Sequence, residues 1–442
     1  MYIRELKIEN IRSIREFELK LKSEECAGWH VLLGDNGAGK STFARAVALA
    51  LVGLEEAAKL PIDWREWLRT ESETGSVNVD LQRDRVFDEV GKGGRTMGPK
   101  WLPAVGFNLQ SWGDERSARR VVIEAKHYQI AGRDFDPTRY AWSDKPGWFS
   151  ASYGPFRRFS GGDMAYDKLF HIYRRLARHL SVFGEDVALT EALEWLKQLD
   201  VERLRHPKTH SLLEDVKAFI NQSGFLPHQT KLVDVNEEGV LFVDGNGCQV
   251  PVTQLSDGYR SVLSMTFELL RQLVHCYGAG AVFEHVRQGH SIIALPGVVI
   301  IDEVDAHLHP PWQRRIGLWF TRVFPKLQFL VTTHSPLVCQ AAEKGSVWRL
   351  PTPGTDEIGR RVEGVELQRL VRGNLLEAMG TELFGEDVGR SEAGRKDVEE
   401  LAKLNRLATQ GKLTAEQKRR RAQLQAQIPT RANSAVASGE ES

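Results

Sequence analysis

Cysteine, proline and long apolar runs are scarce in this sequence, and each scarcity excludes a class of protein. The 442 residues contain 17 prolines and only four cysteines, at Cys26, Cys248, Cys276 and Cys339. No two cysteines form a CxxC pair, so neither a disulfide framework nor a cysteine-ligated zinc site is expected, and a reducing compartment fits best. With 41% hydrophobic residues, the chain is also too apolar to be disordered throughout.

A membrane segment and an excess of one charge are absent as well. Residues 1–7 carry charges where a signal peptide needs an apolar run, and no stretch of about 18 apolar residues occurs. We therefore expect a cytoplasmic protein that does not span a membrane. The 59 Lys and Arg residues equal the 59 Asp and Glu residues, so binding to a polyanion needs a local patch. The candidates are residues 116–120 and 418–421, although such charge runs are usually solvated surface.

The first third of the chain combines alternating and helical patterns. Residues 3–21 alternate apolar and charged positions, as expected of two half-buried antiparallel strands. The apolar run 29–33 leads through a glycine-rich loop into the helical pattern of residues 41–51. Between residues 55 and 145 the pattern weakens, with strand-like runs between glycine-rich turns. We interpret this stretch as an inserted β-rich lobe.

Helical patterns dominate the middle of the chain, and an α/β alternation follows. Apolar spacing predicts helices in residues 169–199 and 212–220, and residues 232–252 alternate around a turn at 244–247, as a hairpin does. The later pattern predicts a helix over 261–276, a strand over 298–301, a helix over 311–324, and strands over 329–332 and 347–350. Apolar runs without alternation are typical of central strands that are buried on both faces.

These patterns predict an α/β fold with a central, mostly parallel sheet, an antiparallel β subdomain, an inserted lobe and a helical C-terminal region. The predicted segments are 1–54 with the phosphate loop, 55–145 as the inserted lobe, 146–254 as a helical lid and hairpin region, 255–360 as the second part of the core, and 361–442 as a charged helical tail.

The sharpest motif is residues 34–41, GDNGAGKS, which match GxxxxGK[ST] between a predicted strand and helix. Backbone N–H groups of such a loop surround phosphates, Lys40 reaches the β and γ phosphates, and Ser41 ligates magnesium. A chance glycine turn is the alternative, but both flanking elements argue against it. The predicted nucleotide-binding residues of the loop are Asn36, Gly37, Ala38, Gly39, Lys40, Ser41 and Thr42.

Two further strands end in polar residues. The buried run 297–301 ends at Asp302 and Glu303, a pair in which the first carboxylate holds magnesium and the second orients and deprotonates the attacking water. By itself this pair could be an acidic turn. The run 331–336 ends a strand with His334, which could bond a γ phosphate. A lone histidine is more often structural, but its place after the acidic pair favours a catalytic role.

A third motif, residues 255–261, opens a predicted helix with Ser256, Asp257 and Gly258. Taken alone it could be a simple capped helix, and a similar fragment at 159–162 is interpreted as a loop. Together with the other motifs, it resembles the signature of the ABC-type ATPases, in which two subunits sandwich two nucleotides. The resemblance implies that Ser256, Asp257 and Gly258 reach the nucleotide of a second subunit.

The whole set of motifs resembles the ABC-type P-loop ATPase heads, in the branch that holds RecF, the chromosome-maintenance (SMC) proteins and the OLD family. Residues 7–14 resemble the first strand and turn of that branch, which implies that Asn10 and Arg12 lie near the nucleotide. Residues 301–310 and 332–336 resemble OLD-like ATPases of bacterial anti-phage systems. Within those, residues 153–158, 255–261 and 375–380 resemble predicted ATPases that include the Septu subunit.

The sequence departs from this branch in several places. His309 occupies the position of the D-loop aspartate, and no glutamine marks the expected Q-loop, for which the strand at 149–153 is the candidate. His307 and His309 could alternatively be metal ligands, since HxH projects two imidazoles from one face of an extended segment. Sustained heptads are absent, and the residues after Leu350 are too poor in clustered acids to resemble the nuclease domain of OLD proteins.

The resemblance implies an ATPase that uses ATP and Mg²⁺, dimerises or forms a larger homo-oligomer, and regulates an anti-phage complex with a separately encoded nuclease effector of HNH or another type. A RecF-like ATPase that binds DNA in repair is the alternative, and a transporter motor is a third hypothesis. A copurifying nuclease favours the first hypothesis, and ATP-dependent, salt-sensitive DNA binding favours the second.

Overall fold

The computed structural model describes most of the chain, namely residues 1–90, 104–112, 120–125, 128–130, 133–143, 145–157, 159, 169, 172–184, 189–206, 210–224, 226, 228–237, 239–355, 357–373, 392–409 and 411–427. Several of the sequence predictions fall outside these residues: the fragment at 160–162, most of the basic run 116–120, and the run 375–380. The chain divides into two compact units, Met1–Leu375 and Leu376–Ser442.

The strands are β1 (Tyr2–Ile11), β2 (Ile14–Lys20), β3 (Gly28–Leu33), β4 (Thr74–Gln82), β5 (Ala104–Trp112), β6 (Arg120–Ala125), β7 (Tyr128–Ile130), β8 (Arg133–Phe135), β9 (Ser150–Tyr153), β10 (Lys231–Asn236), β11 (Gly239–Val243), β12 (Gln249–Pro251), β13 (Gly297–Ile301), β14 (Leu327–Thr333), β15 (Gly345–Arg349) and β16 (Arg360–Val362).

The α-helices are α1 (Lys40–Val52), α2 (Leu54–Ala57), α3 (Arg174–Ala177), α4 (Glu191–Arg205), α5 (Leu212–Gln222), α6 (Asp257–Tyr277), α7 (Ala279–Val282), α8 (Glu284–Arg287), α9 (Pro310–Val323), α10 (Gly364–Arg372), α11 (Glu392–Thr409) and α12 (Ala415–Gln427). None of the helices in the described part of the chain is long and apolar enough to cross a membrane.

A six-stranded sheet forms the centre of the larger unit, in the order β16-β15-β3-β14-β13-β9. All neighbouring pairs are parallel except β15 with β16. Every residue of β3, β13 and β14 is buried, which explains why these strands read as unbroken apolar runs in the sequence. The prediction of an α/β fold with a central, mostly parallel sheet is confirmed.

A second, antiparallel sheet has the order β2-β1-β4-β5-β6. Its strands alternate buried and more exposed residues, as in β4, because one face packs on the core while the other faces solvent. Helix α1 contacts strands of both sheets, and almost all of its residues are buried. Because α1 begins at the phosphate loop, the loop is anchored in the hydrophobic core that joins the two sheets.

Two sequence predictions are corrected by these pairings. The strands β4, β5 and β6, which the structure describes within residues 55–145, do not form a separate lobe, because β4 pairs directly with β1 and so extends the N-terminal sheet. The predicted helical stretch 169–199 is broken: within the described residues it contains α3, a 3-10 turn at Leu180–Val182 and the part of α4 up to residue 199. The carbonyl oxygen of Arg178 accepts a hydrogen bond from the Ser152 N–H of the central sheet. This bond is incompatible with a continuous helix through Arg178.

The remaining elements follow the predictions more closely. The alternating stretch around 244–247 forms the three-stranded antiparallel sheet β10-β11-β12. Helices α6 and α9 and strand β15 lie within a few residues of their predicted bounds. The smaller unit contains α11 and α12, which pack through Leu401, Leu404 and Leu424.

Candidate functional site

The phosphate loop connects the carboxyl end of β3 to the amino end of α1. Gly37 and Gly39 have φ values of 84° and 97°, in the left-handed region that glycine adopts readily. A side chain at Gly39 could not be accommodated, because its Cβ would lie 2.7 Å from Ser13 Oγ. The turn between β1 and β2 therefore packs directly against the phosphate loop.

Lys40 is the first residue of α1 and is only 5% exposed. Its Nζ donates to the carbonyl oxygens of Gly34 and Asp35 at 2.8 and 2.9 Å, so the ammonium group lies inside the curve of the loop. Burial lowers the pKa of Lys40, and the nearby carboxylates, Glu303 first among them, oppose this shift. The loop thus holds a partly desolvated cation among backbone groups, an arrangement that suits a polyphosphate.

His334 follows β14, the strand adjacent to β3, and its Nδ1 lies 3.5 Å from Lys40 Nζ. Burial, and then the charge of Lys40, lower the pKa of His334, so the ring is largely neutral at pH 7. A neutral ring whose Nδ1 faces an ammonium group carries its proton on Nε2. His334 is therefore suited to donate a hydrogen bond from Nε2 to an anion above the loop.

Asp302 and Glu303 follow β13, on the other side of β14. Asp302 is 1% exposed, and its carboxylate accepts a hydrogen bond of 2.5 Å from Thr332 Oγ1. The same Thr332 oxygen accepts the backbone N–H of Glu303 at 2.8 Å. Glu303 has a φ of 47°, an uncommon value for a residue other than glycine. One threonine therefore fixes both members of the acidic pair.

Arg157 is a site residue to which the sequence analysis assigned no role. Its guanidinium is 4% exposed and donates to the carbonyl oxygens of Asp302 at 2.9 Å and Glu303 at 3.1 Å. It also donates to Ser261 Oγ on α6 at 3.1 Å and to the Gly154 carbonyl at 2.9 Å. Burial lowers the pKa of Arg157 to about 10, which leaves the group charged at neutral pH. Arg157 thus joins the acidic pair to the helix of the signature-like motif.

The signature-like motif lies at the amino end of α6. Ser256 is the N-cap residue but its side chain makes no capping hydrogen bond, and both Ser256 and Asp257 are exposed. Asp257 forms an ion pair with Arg260. A Cβ at Gly258 would lie 3.2 Å from the His307 carbonyl oxygen, so this helix start packs against the turn that follows the acidic pair.

Asn10 lies near the end of β1 and Arg12 in the turn that packs on the loop, and both contact the part of the chain after α2. Asn10 Nδ2 donates to the Thr74 carbonyl at 3.1 Å, and Arg12 Nε donates to the Glu66 carbonyl at 3.3 Å. The guanidinium of Arg12 also lies 5.1 Å from the ring centre of Trp67. Their neighbour Ser13, rather than Asn10 or Arg12, makes the approach to Gly39.

The alternative metal site at His307 and His309 has little support in the described residues. Both side chains are exposed, and no group of three or more His, Cys, Asp or Glu side chains is arranged to hold a metal in that part of the chain. The strand that stands in for the Q-loop, β9, pairs with β13 but ends at Tyr153, without a glutamine. Tyr153 Oη is buried and has no hydrogen-bond partner among the residues that the structure describes.

The residues at this edge fit a nucleotide with magnesium. The loop offers backbone N–H groups and a buried ammonium, and Ser41 and Asp302 offer the hard oxygen ligands that Mg²⁺ prefers. Magnesium of this class is held by few protein ligands together with phosphate oxygens and water, so a larger acidic cluster is not needed.

Parts of the chain match known protein families, and the chain was also compared with solved structures. Residues 111–340 match the family described as "AAA domain, putative AbiEii toxin, Type IV TA system", and residues 5–130 match a second family described as "AAA domain". The SMC head domain from Thermotoga maritima superposes with a TM-score of 0.40 at 13% identity, covering 82% of this chain and 99% of that chain.

Two curated relatives are named as a Septu protein and as a probable retron ATPase. The Septu protein PtuA of Bacillus mycoides is 24% identical over 352 residues, which are 78% of this chain and 40% of the relative. The Retron Ec83 probable ATPase of Escherichia coli is 36% identical over 112 residues, which are 25% of this chain and 19% of the relative. The chain thus spans less than half the length of either relative. Because the first family match covers more than half of the sequence, the chain belongs to the AAA-domain family described as "AAA domain, putative AbiEii toxin, Type IV TA system".

Proposed function

We propose that this chain is a cytoplasmic, Mg²⁺-dependent ATPase that serves as the regulatory subunit of a bacterial anti-phage defence complex. The observation that carries the proposal is the convergence of Lys40, His334 and Asp302 at the carboxyl ends of three adjacent parallel strands. Ligands of open α/β sheets bind at this edge. The resemblance to Septu PtuA and retron ATPases supports the biological setting.

Each residue then has a defined task. Backbone N–H groups of the loop and Lys40 bind the phosphates, while Ser41 and Asp302 would hold magnesium. When bound, ATP would supply the phosphoryl group and Mg²⁺ would neutralise part of the charge of the phosphates. Glu303 accepts the proton of the attacking water, and His334 donates a hydrogen bond from Nε2 to the transferred group.

We also propose that a second copy completes the site through its Ser256, Asp257 and Gly258. The start of α6 supports this step, because Ser256 and Asp257 are exposed and the Ser256 side chain caps no N–H of its own helix. A free helix amino end favours an anion such as a γ phosphate. Closure of two copies over ATP then links nucleotide binding to assembly with a separate nuclease effector.

Nucleotide binding and turnover of four variants test the catalytic assignment. Lys40→Ala should lose ATP binding, whereas Glu303→Gln should retain binding but turn over at least about 100-fold more slowly, because the water loses its base. Lys326→Ala and Glu284→Gln are matched controls, since both are exposed and lie away from the loop. Unchanged turnover in Glu303→Gln would remove Glu303 from this role.

Light scattering and affinity capture test the assembly. Glu303→Gln with ATP should form a dimer or larger oligomer, and Ser256→Arg in the same background should prevent it, because the larger cation occupies the helix start. Capture of the tagged chain from its native operon in ATP, followed by mass spectrometry, should yield a nuclease in fixed stoichiometry. Recovery of the chain without a nuclease contradicts the defence-complex proposal.

The DNA-repair alternative receives no specific support from the described residues. In the basic run 418–421, Arg420 forms ion pairs with Glu400 at 2.8 Å and with Asp397 at 3.1 Å. Arg421 donates to the Asn405 amide oxygen at 2.7 Å. This run therefore packs α12 on α11 and does not present all its charge to a DNA backbone. ATP-dependent duplex binding by the isolated chain would restore the alternative.

A further inference from the structure

A polar cavity lies at the end of β9 that is opposite to the acidic pair. It has a volume of about 480 Å³, within the usual range of small-molecule sites. Its walls come from the segment before β9, from α3 and the residue after it, and from the last turns of α6. We call it the basic cavity, because its lining includes Lys145, Arg174, Arg175, Arg178, Arg271 and His275.

Among the residues that the structure describes, the basic cavity carries more positive charge than its neighbours balance. The described residues of its lining include no Asp or Glu. Just outside it, Glu56 pairs with Arg175 at 2.8 Å and Glu268 pairs with Arg271 at 2.8 Å. Lys145 and Arg174 form no ion pair with any residue that the structure describes. These two cations, together with Arg178, therefore remain available to an anion.

Arg178 provides a second, independent sign of a ligand. Its Nε is buried and has no hydrogen-bond partner in the described part of the molecule. Its guanidinium lies 5.7 Å from the ring centre of Phe149, which orients the group at the cavity wall. A buried donor without an acceptor is uncommon in native proteins, since burial removes the water that would otherwise satisfy it. Arg178 also lines the cavity, so an oxyanion bound there would meet this guanidinium, and it would reach Nε after a small shift of the side chain.

The basic cavity is separate from the phosphate loop. Trp148, which lines the cavity, precedes β9, whereas the other end of β9 adjoins the acidic pair through the Asp302 N–H, which donates to the Tyr153 carbonyl at 2.8 Å. The two ends of a four-residue strand are roughly 10 Å apart. The long helix α6 spans the same interval, since its first turn carries the signature-like motif and its last turns line the cavity.

We propose that the basic cavity binds a phosphate-bearing anion, either a free nucleotide or the terminal phosphate of a DNA strand. Arginine suits this chemistry because its planar guanidinium donates two parallel hydrogen bonds to phosphate oxygens. The site goes beyond the proposed ATPase reaction, which uses none of these residues. Because β9 and α6 connect the cavity to the acidic pair and the signature-like motif, its ligand is placed to influence closure of the ATPase site.

The test uses the full chain in the Lys40→Ala background, in which the phosphate loop does not compete. Inorganic pyrophosphate is titrated by calorimetry, and alkylation of Cys276, which lines the cavity, is followed by peptide mass spectrometry. Pyrophosphate should slow Cys276 alkylation while leaving the exposed Cys248 unaffected. The Arg174→Gln/Arg178→Gln variant should bind pyrophosphate about tenfold more weakly or worse, because two charge-assisted contacts are lost.

Further arms identify the source of the phosphate and guard against misfolding. Arg174→Gln alone changes an exposed side chain and should weaken binding without affecting the fold, and Lys231→Gln on β10 is the matched control. Tighter binding of ATP than of pyrophosphate indicates a nucleotide, and preference for a 5′-phosphorylated over a 5′-hydroxyl oligonucleotide indicates a DNA end. Equal pyrophosphate affinity in the double variant and its background, or no protection of Cys276, overturns the proposal. Neither result affects the ATPase assignment, which is measured with Lys40 intact.

Discussion

The two ends of the central sheet treat charge in opposite ways. At the carboxyl end, Lys40, Asp302 and Glu303 are each held by specific partners, chiefly backbone carbonyls and Thr332. At the amino end of β9, Arg174 and Arg178 line an open cavity, and the Nε of Arg178 has no hydrogen-bond partner among the described residues. A catalytic site gains from groups fixed before the substrate arrives, whereas an anion site gains from donors that only the ligand satisfies. Substitutions near each end of the sheet test this difference.

The largest effect is expected when Arg157 is replaced, because this one side chain makes several of the contacts that hold the carboxyl end of the sheet. Arg157→Met leaves several buried carbonyls without a donor and should lower the free energy of unfolding by about 3 kcal/mol. Turnover should fall about 100-fold while ATP affinity changes little, since Arg157 positions Glu303 and does not touch the loop. Chemical denaturation, calorimetry and steady-state kinetics measure these quantities.

Arg157→Lys separates a positioning role from a merely structural one. Lysine keeps the charge but cannot reach Ser261 and the acidic pair together, so it should restore much of the stability and little of the turnover. Arg420→Met, which removes a surface ion pair in the smaller unit, is the control. A parallel loss of ATP affinity and turnover in both Arg157 variants would contradict the positioning role.

A smaller effect is expected from Thr332→Val, which removes one hydroxyl from the same end of the sheet. The Asp302 carboxylate then loses a donor and the Glu303 N–H loses its acceptor, at a cost of about 2 kcal/mol in unfolding free energy. Turnover should drop about tenfold because both acids are less well fixed. Thr321→Val on α9, whose hydroxyl bonds only its own helix, is the comparison. Equal effects of the two variants would remove Thr332 from the site.

The interior between the two ends is predicted to respond to acid. His30 on β3 is fully buried, between Ser346 Oγ at 2.8 Å and the Cys26 carbonyl at 3.0 Å, and burial lowers its pKa to about 4. His30 is therefore protonated at a lower pH in the folded state than in the unfolded state. Its contribution to the free energy of unfolding is fully present above pH 6.5 and declines as the pH falls toward 4. The slope is about 1.4 kcal/mol per pH unit for one such histidine.

Denaturant unfolding between pH 7 and pH 5 measures this slope. His30→Gln should reduce it by about 1.4 kcal/mol per pH unit, whereas His290→Gln, at an exposed position, should keep the slope of the parent chain. An identical slope in the His30 variant would show that other groups, such as the buried His179, dominate the acid response.

The smallest predicted effect concerns the turn that carries His334. Ser335 caps the following 3-10 helix through the Leu337 N–H at 3.2 Å, and its hydroxyl donates to Gln313 on α9 at 2.7 Å. Ser335→Ala should lower the unfolding free energy by about 1 kcal/mol and slow turnover only a few-fold. Ser335→Asn keeps a cap and should restore most of the stability. A loss as large as that of Thr332→Val would place Ser335 within the catalytic network itself.

Local patterns in the sequence predicted the elements of the central sheet well. The strands at 297–301 and 327–333 are buried on both faces, so their apolar runs carry a strong signal, and the helix after the phosphate loop begins where the motif requires. The order of β3, β14 and β13 then brings the predicted loop, His334 and acidic pair to one edge.

Long-range pairing was beyond the reach of those patterns. Periodicity detects that β4 is a strand but does not say that it pairs with β1, so an apparent lobe became part of the first sheet. Arg157 was missed for a similar reason, since the carbonyls of Asp302, Glu303 and Val304 that it bonds lie about 145 residues away and any sequence would supply them. A signal existed only in its chemistry: an arginine directly after a buried strand needs acceptors at the strand end.

The left-handed backbone of Glu303 shows how selection for function and for stability can diverge. The conformation costs a residue other than glycine about 1 kcal/mol, and it persists because Thr332 and Arg157 bond both sides of the residue. Glycine would suit this backbone better than glutamate does. A library selected only for heat resistance should therefore enrich Glu303→Gly. The recovered proteins would be more stable to heat but would lack ATPase activity.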